Sequence, residues 1–159
     1  MRIIIALFIF FLSIKGFSQS GNEIQDLINS SIENHLASIE KLIEKKAIAV
    51  DCLDRITIMN NNMADSFKFS EKLQKKYNLI FLNYQNFSRS DLRKGITTLQ
   101  LYPVVLKGDT MLITIGNVGF SKKGKKTFLS YGSLDTTSKY TYSCDMKQWV
   151  LVKIEEKGL

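Results

Sequence analysis

The sequence is poor in the residues that build metal centres and the common catalytic sites. It has one histidine and two cysteines in 159 residues, and the cysteines are far apart. A zinc site needs several such ligands close together. The chain also has no glycine-rich phosphate loop, no nucleophile elbow and no His-Glu-x-x-His helix, so the enzyme classes that these motifs mark are not indicated. We therefore predict no metal and no other cofactor.

Proline is also scarce, with a single residue, Pro103, and the nine glycines are scattered. No stretch has the proline-, glycine- or serine-rich composition of a linker between domains. No internal repeat is visible either. One domain is the expectation for a chain of this length.

Basic residues exceed acidic ones, and the formal net charge is +7. The excess is spread along the chain except in one segment, which contains Lys122, Lys123, Lys125 and Lys126. A nucleic-acid interface needs a wider basic face with stacking aromatic residues. We interpret the lysine segment as the solvated tip of a hairpin, with contact to an anionic surface as the alternative, and predict no nucleic-acid partner.

The N-terminus has the three parts of a secretory signal peptide. Arg2 precedes an apolar run, Ile3–Leu12, and small or polar residues close the segment at Gly16–Ser20. The run is shorter than the roughly 20 residues that a transmembrane helix needs. We predict that residues 1–18 are a cleaved signal peptide and that residues 19–159 form one exported domain, periplasmic or extracellular, without a transmembrane span. Cleavage after Ser20 and an uncleaved anchor are the alternatives.

A long helix is predicted directly after this segment, from about Asn22 to Lys46. Apolar residues recur there at intervals of three and four, which places them on one side of a helix: Ile24, Leu27, Ile28, Ile32, Leu36, Ile39, Leu42 and Ile43. His35 falls within this apolar arc. We interpret it as a buried or half-buried histidine bonded to a neighbour rather than as a catalytic base, because no acid and nucleophile accompany it.

Shorter elements follow this helix. A β-branched apolar stretch predicts a strand over Ala47–Met59, and a polar break follows it at Asn60–Asn62. The sequence then predicts a short helix over Ser70–Lys76, a strand over Asn78–Tyr84 and a helical turn over Ser88–Lys94, which Gly95 ends.

The C-terminal part, Ile96–Ile154, reads as a run of strands and turns. Alternation of apolar and polar residues predicts a first strand that Pro103 limits and a second strand around Met111–Ile115. The remaining predictions are a loop at Ser121–Lys126, a strand at Thr127–Tyr131, a turn at Gly132–Thr137, and a hairpin of Ser138–Cys144 and Trp149–Ile154. The fold class expected is α+β, with the long helix packed on a curved antiparallel sheet of four to six strands.

The aromatic side chains of the C-terminal part could either pack in the core or line a ligand pocket. A four-residue turn at Asp145–Gln148 would place Cys144 opposite Trp149 and Tyr142 opposite Leu151, and packing under the helix is the first interpretation. The alternative is a ligand pocket lined by Tyr102, Tyr131, Tyr140 and Trp149, with Asp51 or Asp54 as acid–base groups. The two aspartates also fit a solvated turn.

Cys52 and Cys144 both lie in the part predicted to be exported, where disulfides persist. We predict that they form a disulfide joining the first strand region to the last hairpin. Two buried free thiols are the alternative, because spacing alone does not bring the two Cβ atoms within reach.

Two resemblances follow from these residues. The signal sequence ending in Phe17-Ser18-Gln19, the composition rich in Asn, Ile and Lys, and the Tyr-x-Tyr-x-Cys-Asp-x-x-x-Trp hairpin that begins at Tyr140 resemble small exported proteins of Bacteroidota that carry no assigned activity. The order of a long helix, mixed elements and a meander of strands is similar to nuclear-transport-factor-2-like and cystatin-like folds. No motif of either fold family is matched residue by residue, and the strand predicted at Ala47–Met59 departs from the simplest cystatin order.

The leading functional hypothesis is an exported, non-catalytic binding or accessory protein, because the chain has an export signal and no recognisable catalytic motif. Two alternatives stay open. One is a pocket-type small-ligand-binding protein or enzyme with a nuclear-transport-factor-2-like cone. The other is a periplasmic immunity or inhibitor protein.

Overall fold

The computed structural model describes residues 2–48, 53, 56–59, 63, 66–82, 87–124 and 126–158, with the side chains of all of these except residues 2–22, 82 and 133. Within these residues the helices are α1 (Arg2–Glu44), α2 (Glu71–Lys76) and α3 (Arg89–Lys94). The strands are β1 (Ile56–Met59), β2 (Leu79–Leu82), β3 (Ile96–Leu101), β4 (Val105–Lys107), β5 (Thr110–Lys123), β6 (Lys126–Ser143) and β7 (Gln148–Lys157).

The described strands form one sheet in the order β2-β1-β3-β5-β6-β7, and the short β4 pairs with β5. The α+β class is confirmed, but the expected four to six antiparallel strands are corrected to a mixed sheet of seven. Strand β1 runs parallel to both β2 and β3, whereas the other pairs are antiparallel. Parallel neighbours need a crossover connection, and the segments that contain α2 and α3 provide the two crossovers.

Helix α1 packs on one face of the sheet, which we call the helix face. The predicted helix began at Asn22, whereas α1 begins at Arg2; its C-terminal end at Glu44 is two residues from the predicted one. Ile32 and Leu36 are fully buried and contact a core that includes Ile113 and Ile115 of β5. Burying a side chain of this size stabilises the fold by roughly 1.5–3 kcal/mol. In the described part of the chain, no helix combines the length and the apolar character that crossing a membrane requires.

The opposite face, which we call the open face, is covered at one end by α3. A second core cluster lies there, formed by Met59, Leu92, Val118 and Phe120, with Phe87 and Ile96 packed against it. The predicted helical turn is confirmed, and Gly95 ends it as predicted, with a φ of 86°. Its N-cap is Ser88, whose hydroxyl accepts the Asp91 N–H at 3.1 Å. This cover reaches one end of β5, so β6 and β7 lack a helix layer on the open face among the described residues.

Strands β5 and β6 are longer than the sequence predicts. Lys123 pairs with Lys126, and Gly124 has a φ of 62° in the tight turn between them. The predicted turn at Gly132–Thr137 is wrong, because β6 continues through it. The register passes from Val118 opposite Tyr131 to Gly116 opposite Asp135, so three residues of β6 face one of β5. A β-bulge of this kind accommodates turn-forming residues without ending the strand.

The last hairpin turns one residue earlier than predicted. Its turn is Cys144–Lys147, and the Met146 N–H donates to the Ser143 hydroxyl at 3.3 Å. The predicted register is therefore corrected: Tyr142 lies opposite Trp149, and Tyr140 lies opposite Leu151. Lys147 has a φ of 51°, a left-handed conformation that closes the turn before Gln148.

The predicted disulfide is not formed in this structure. Cys144 is a free, exposed thiol in the turn after β6, and Cys52 lies outside the described residues. The strand that follows Cys52 in sequence, β1, is separated from β6 by β3 and β5. Neighbouring strands are about 4.8 Å apart, so β1 and β6 are much farther apart than a disulfide spans.

Candidate functional site

Polar side chains join α1 to β6 and β7 on the helix face, within an otherwise apolar interface. We call this set the polar seam, and its pairs are Ser31 with Tyr140 at 3.0 Å, Asn34 with Ser138 at 3.2 Å, His35 with Thr136 at 3.0 Å and Ser38 with Glu156 at 2.6 Å. The helix side chains recur at intervals of three and four, and the β6 side chains at intervals of two, so each polar row follows the period of its own element.

His35 is the most enclosed titratable group of the seam. It is fully buried, as the sequence predicts, and its Nε2 lies 3.3 Å from Asn117 Oδ1. An amide oxygen only accepts hydrogen bonds, so Nε2 donates to Asn117 and Nδ1 accepts from the Thr136 hydroxyl. Burial lowers the pKa of His35 to about 4, against a smaller opposing effect of the Asn117 hydrogen bond and the Glu156 charge. The ring is therefore neutral at pH 7, and both of its nitrogens are hydrogen-bonded. These bonds hold α1 on the sheet, so His35 has a structural role.

A different group of side chains meets on the open face, above Gly116 of β5. Tyr102 follows β3 directly, and its N–H donates to the Thr114 carbonyl at 3.0 Å, which sets the ring beside β5. Asp135 of β6 pairs with Gly116. A Cβ on residue 116 would overlap Asp135 Oδ1 and lie 2.8 Å from Tyr102 Cε2. Only glycine at this position lets the carboxylate and the ring approach each other over the strand.

The Asp135 carboxylate is held in a partly desolvated position. Burial raises its pKa. Lys157 lies opposite Asp135 on the neighbouring strand β7, and its positive charge lowers the pKa by a smaller amount. Among the described residues the carboxylate has no hydrogen-bond or ion-pair partner. Tyr102 is half-buried beside it, and its pKa is raised by burial first, then by the negative charge of Asp135 and by Tyr131.

Tyr131 completes this group. It lies opposite Val118 on the open face and is 68% exposed, and Leu129, two residues earlier on the same face, is 52% exposed. We call Tyr102, Tyr131 and Asp135 the open-face patch. It combines two aromatic rings with a carboxylate that can accept further hydrogen bonds. It can therefore bind a group that donates a hydrogen bond to Asp135 and packs an apolar or cationic part against the rings.

The structure brings only two of the six predicted pocket residues together. Tyr102 and Tyr131 belong to the open-face patch. Tyr140 lies on the helix face, where it is buried and its hydroxyl donates to the Leu27 carbonyl at 3.2 Å. Trp149 lies on that face too, with its ring packed edge-on against Tyr142 at a centroid distance of 5.5 Å. Asp51 and Asp54 lie outside the described residues.

Asp135 is the patch residue that sequence reasoning missed. The sequence predicts a turn at Gly132–Thr137, and an aspartate is common in turns. Strand periodicity would have placed residues 131 and 135 on one face, so the signal was present in their spacing.

No three or more His, Cys, Asp or Glu side chains of the described residues are grouped as a metal site would need. A comparison with known protein families, with curated proteins and with solved structures finds no match for this chain.

Proposed function

We propose that this chain is an exported, non-catalytic binding protein and that the open-face patch is the surface that contacts its protein partner. The observation that carries the proposal is the Asp135 carboxylate, which is partly desolvated beside Tyr102 and has no partner among the described residues. Partial loss of hydration makes the charged form of a carboxylate less stable than it is in water. A donor supplied by another molecule would remove that penalty, so the patch gains from being covered.

The surroundings of Asp135 favour a protein over a small molecule. Tyr131 and Leu129 project from the open face with more than half of their surface exposed. Exposed aromatic and aliphatic side chains next to a partly buried polar group are typical of protein interfaces, where tyrosine often contributes strongly to affinity. The partner side chain best suited to the patch is an arginine, whose guanidinium pairs with a carboxylate and stacks on aromatic rings.

The alternative of a ligand cone is less well supported. In a cone of the nuclear-transport-factor-2-like kind, the ligand would lie between the long helix and the sheet. That space holds the side chains of Ile32, His35, Leu36 and Tyr140, all of which are buried. An immunity or inhibitor protein is a special case of the binding hypothesis, and the identity of the captured partner would decide it.

Affinity capture from an envelope extract of the source organism tests the proposal. The bait is the chain in the form that the cell accumulates, and the test variant carries Tyr131→Ala with Asp135→Asn. The matched control carries Tyr142→Ala with Asp145→Asn, since Tyr142 is an exposed tyrosine of the same strand on the helix face. We expect one specific protein to be recovered by the wild type and the control, and at least tenfold less of it by the patch variant.

Two outcomes would contradict the proposal. One is recovery of no specific protein by the wild-type bait. The other is equal recovery by the patch variant and the control, which would place the contact elsewhere on the chain.

A further inference from the structure

Strand β7 forms one edge of the described sheet, with β6 as its only strand neighbour. Leu151, Val152 and Ile154 are all at least 40% exposed. An exposed apolar edge strand offers a row of backbone groups to another strand, and natural proteins usually blunt such an edge. The bulge at Val152 and the contact of Glu23 Oε1 with the Trp149 N–H, at 3.2 Å, protect the first half of β7. The second half, Lys153–Lys157, has no comparable protection among the described residues.

The backbone of this second half is oriented for pairing. The Tyr142 N–H donates to the Asp109 carbonyl at 3.0 Å, on the β5 side of β6 and away from β7. Backbone direction alternates along a strand, so Ser138, four residues earlier in β6, also points away from β7. Ile154 is opposite Ser138. Ile154 therefore directs its own N–H and C=O to the free edge.

The charges of β7 select one way in which two copies could pair. If two β7 strands run antiparallel with Ile154 opposite Ile154, Lys153 of each copy lies opposite Glu155 of the other. If the twofold axis moves by one residue, to residue 153 or to residue 155, then Lys153 lies opposite Lys153 or Glu155 lies opposite Glu155. Opposite charges facing each other across strands are favourable and like charges are unfavourable. One symmetric register therefore combines two ion pairs with a central apolar contact.

We propose that the chain forms a twofold-symmetric dimer through β7, with Ile154 on the axis and reciprocal Lys153–Glu155 pairs. Such an interface uses the same surface on both copies, and it joins the two sheets into one continuous sheet. Lys153 and Glu155 already form an ion pair within the chain at 3.0 Å. Both are solvated on the open-face side of the strand, so they are free to exchange partners on association.

Charge reversal tests the dimer without removing any backbone group. The molar mass of the chain, in the form that the cell accumulates, is measured by light scattering after size exclusion. We expect the wild type to have twice the monomer mass, and Lys153→Glu and Glu155→Lys each to have the monomer mass, since each places like charges opposite each other twice. A 1:1 mixture of the two variants restores both ion pairs between unlike copies, so the doubled mass should return.

Lys107→Glu on β4 is the matched control, because it makes the same charge change on an exposed strand residue outside the interface. It should keep the doubled mass, and far-UV circular dichroism should show that all variants are folded. Each variant also loses the Lys153–Glu155 ion pair within its own chain, and mixing does not restore that pair. Return of the doubled mass on mixing would therefore show that the pairs between copies hold the dimer together. A wild-type chain that remains a monomer, a mixture that stays monomeric, or loss of the dimer in the control would overturn the proposal.

Discussion

His35 is a titratable side chain that folding encloses completely. Its neutral ring is hydrogen-bonded through both nitrogens, to Thr136 on β6 and to Asn117 on β5. The charged group that affects its pKa is Glu156 on β7, whose negative charge raises it. Burial lowers its pKa from the ordinary 6.5 to about 4. The unfolded chain therefore binds a proton at a higher pH than the folded chain does. It follows that His35 is neutral in both states above pH 6.5, and that acid favours the unfolded state between pH 6.5 and 4.

We expect the free energy of unfolding to fall by about 2 kcal/mol between pH 7.5 and 5 through His35 alone. The measurement is urea denaturation at the two pH values, followed by Trp149 fluorescence. His35→Gln keeps hydrogen-bonding capacity but does not titrate, so this part of the pH dependence should disappear in it. An equally steep fall of stability in His35→Gln would show that other groups are responsible.

The placement of His35 was predictable from sequence, whereas that of Asp135 was not. The 3.6-residue period of one helix is a local pattern, and it placed His35 among apolar neighbours. Asp135 acquires its environment from Gly116 and Tyr102, which belong to other parts of the sheet. Contacts between residues so far apart in sequence depend on strand pairing, which local patterns do not specify.

At the scale of elements, the docking of α1 on the sheet combines apolar burial with the polar seam. Tyr140 links the two elements, since its hydroxyl contacts both Ser31 Oγ and the Leu27 carbonyl. Ser31 also donates to Leu27 within the helix at 2.8 Å, so it keeps a partner if Tyr140 is changed. The contribution of the tyrosine hydroxyl can therefore be measured without leaving an unpaired serine.

Tyr140→Phe should lower the free energy of unfolding by about 1 kcal/mol, the usual net contribution of a buried hydrogen bond. Tyr142→Phe is the control, because Tyr142 is partly exposed on the same strand, and it should change stability by less than about 0.5 kcal/mol. Both values come from urea denaturation at pH 7.5. Equal effects of the two changes would mean that the seam does not contribute to the docking of α1.

The sequence predicted elements well where one face is buried and the pattern is regular. Leu99, Leu101, Met111, Ile113 and Ile115 are all buried, as the period of two in β3 and β5 indicates. The prediction failed where strand pairing overrides local composition. Gly132, Ser133 and Asp135 favour a turn on their own. The strand continues past them because Tyr131 and Asp135 pair with β5 on either side of the bulge, and Asp135 also pairs with β7.

At the scale of the whole molecule, the two faces of the sheet differ in their cover. The helix face is occupied by α1 and by the core beneath it. On the open face, Tyr102, Tyr131 and Asp135 have no helix above them in the described chain. Strands β1 and β2 lie within the strands predicted over Ala47–Met59 and Asn78–Tyr84, but their short length and parallel pairing were not predicted. Each has only four residues, too few to show a period.

We propose that this part of the open face contacts another protein. Site-specific photo-crosslinking in the source organism tests it most directly, with a photoreactive phenylalanine analogue placed at residue 131 or, in a second strain, at residue 142. Both residues are exposed tyrosines of β6 and lie on opposite faces. We expect a discrete adduct with a different protein at residue 131 and none at residue 142. No adduct at residue 131, or the same adduct at both positions, would contradict the claim.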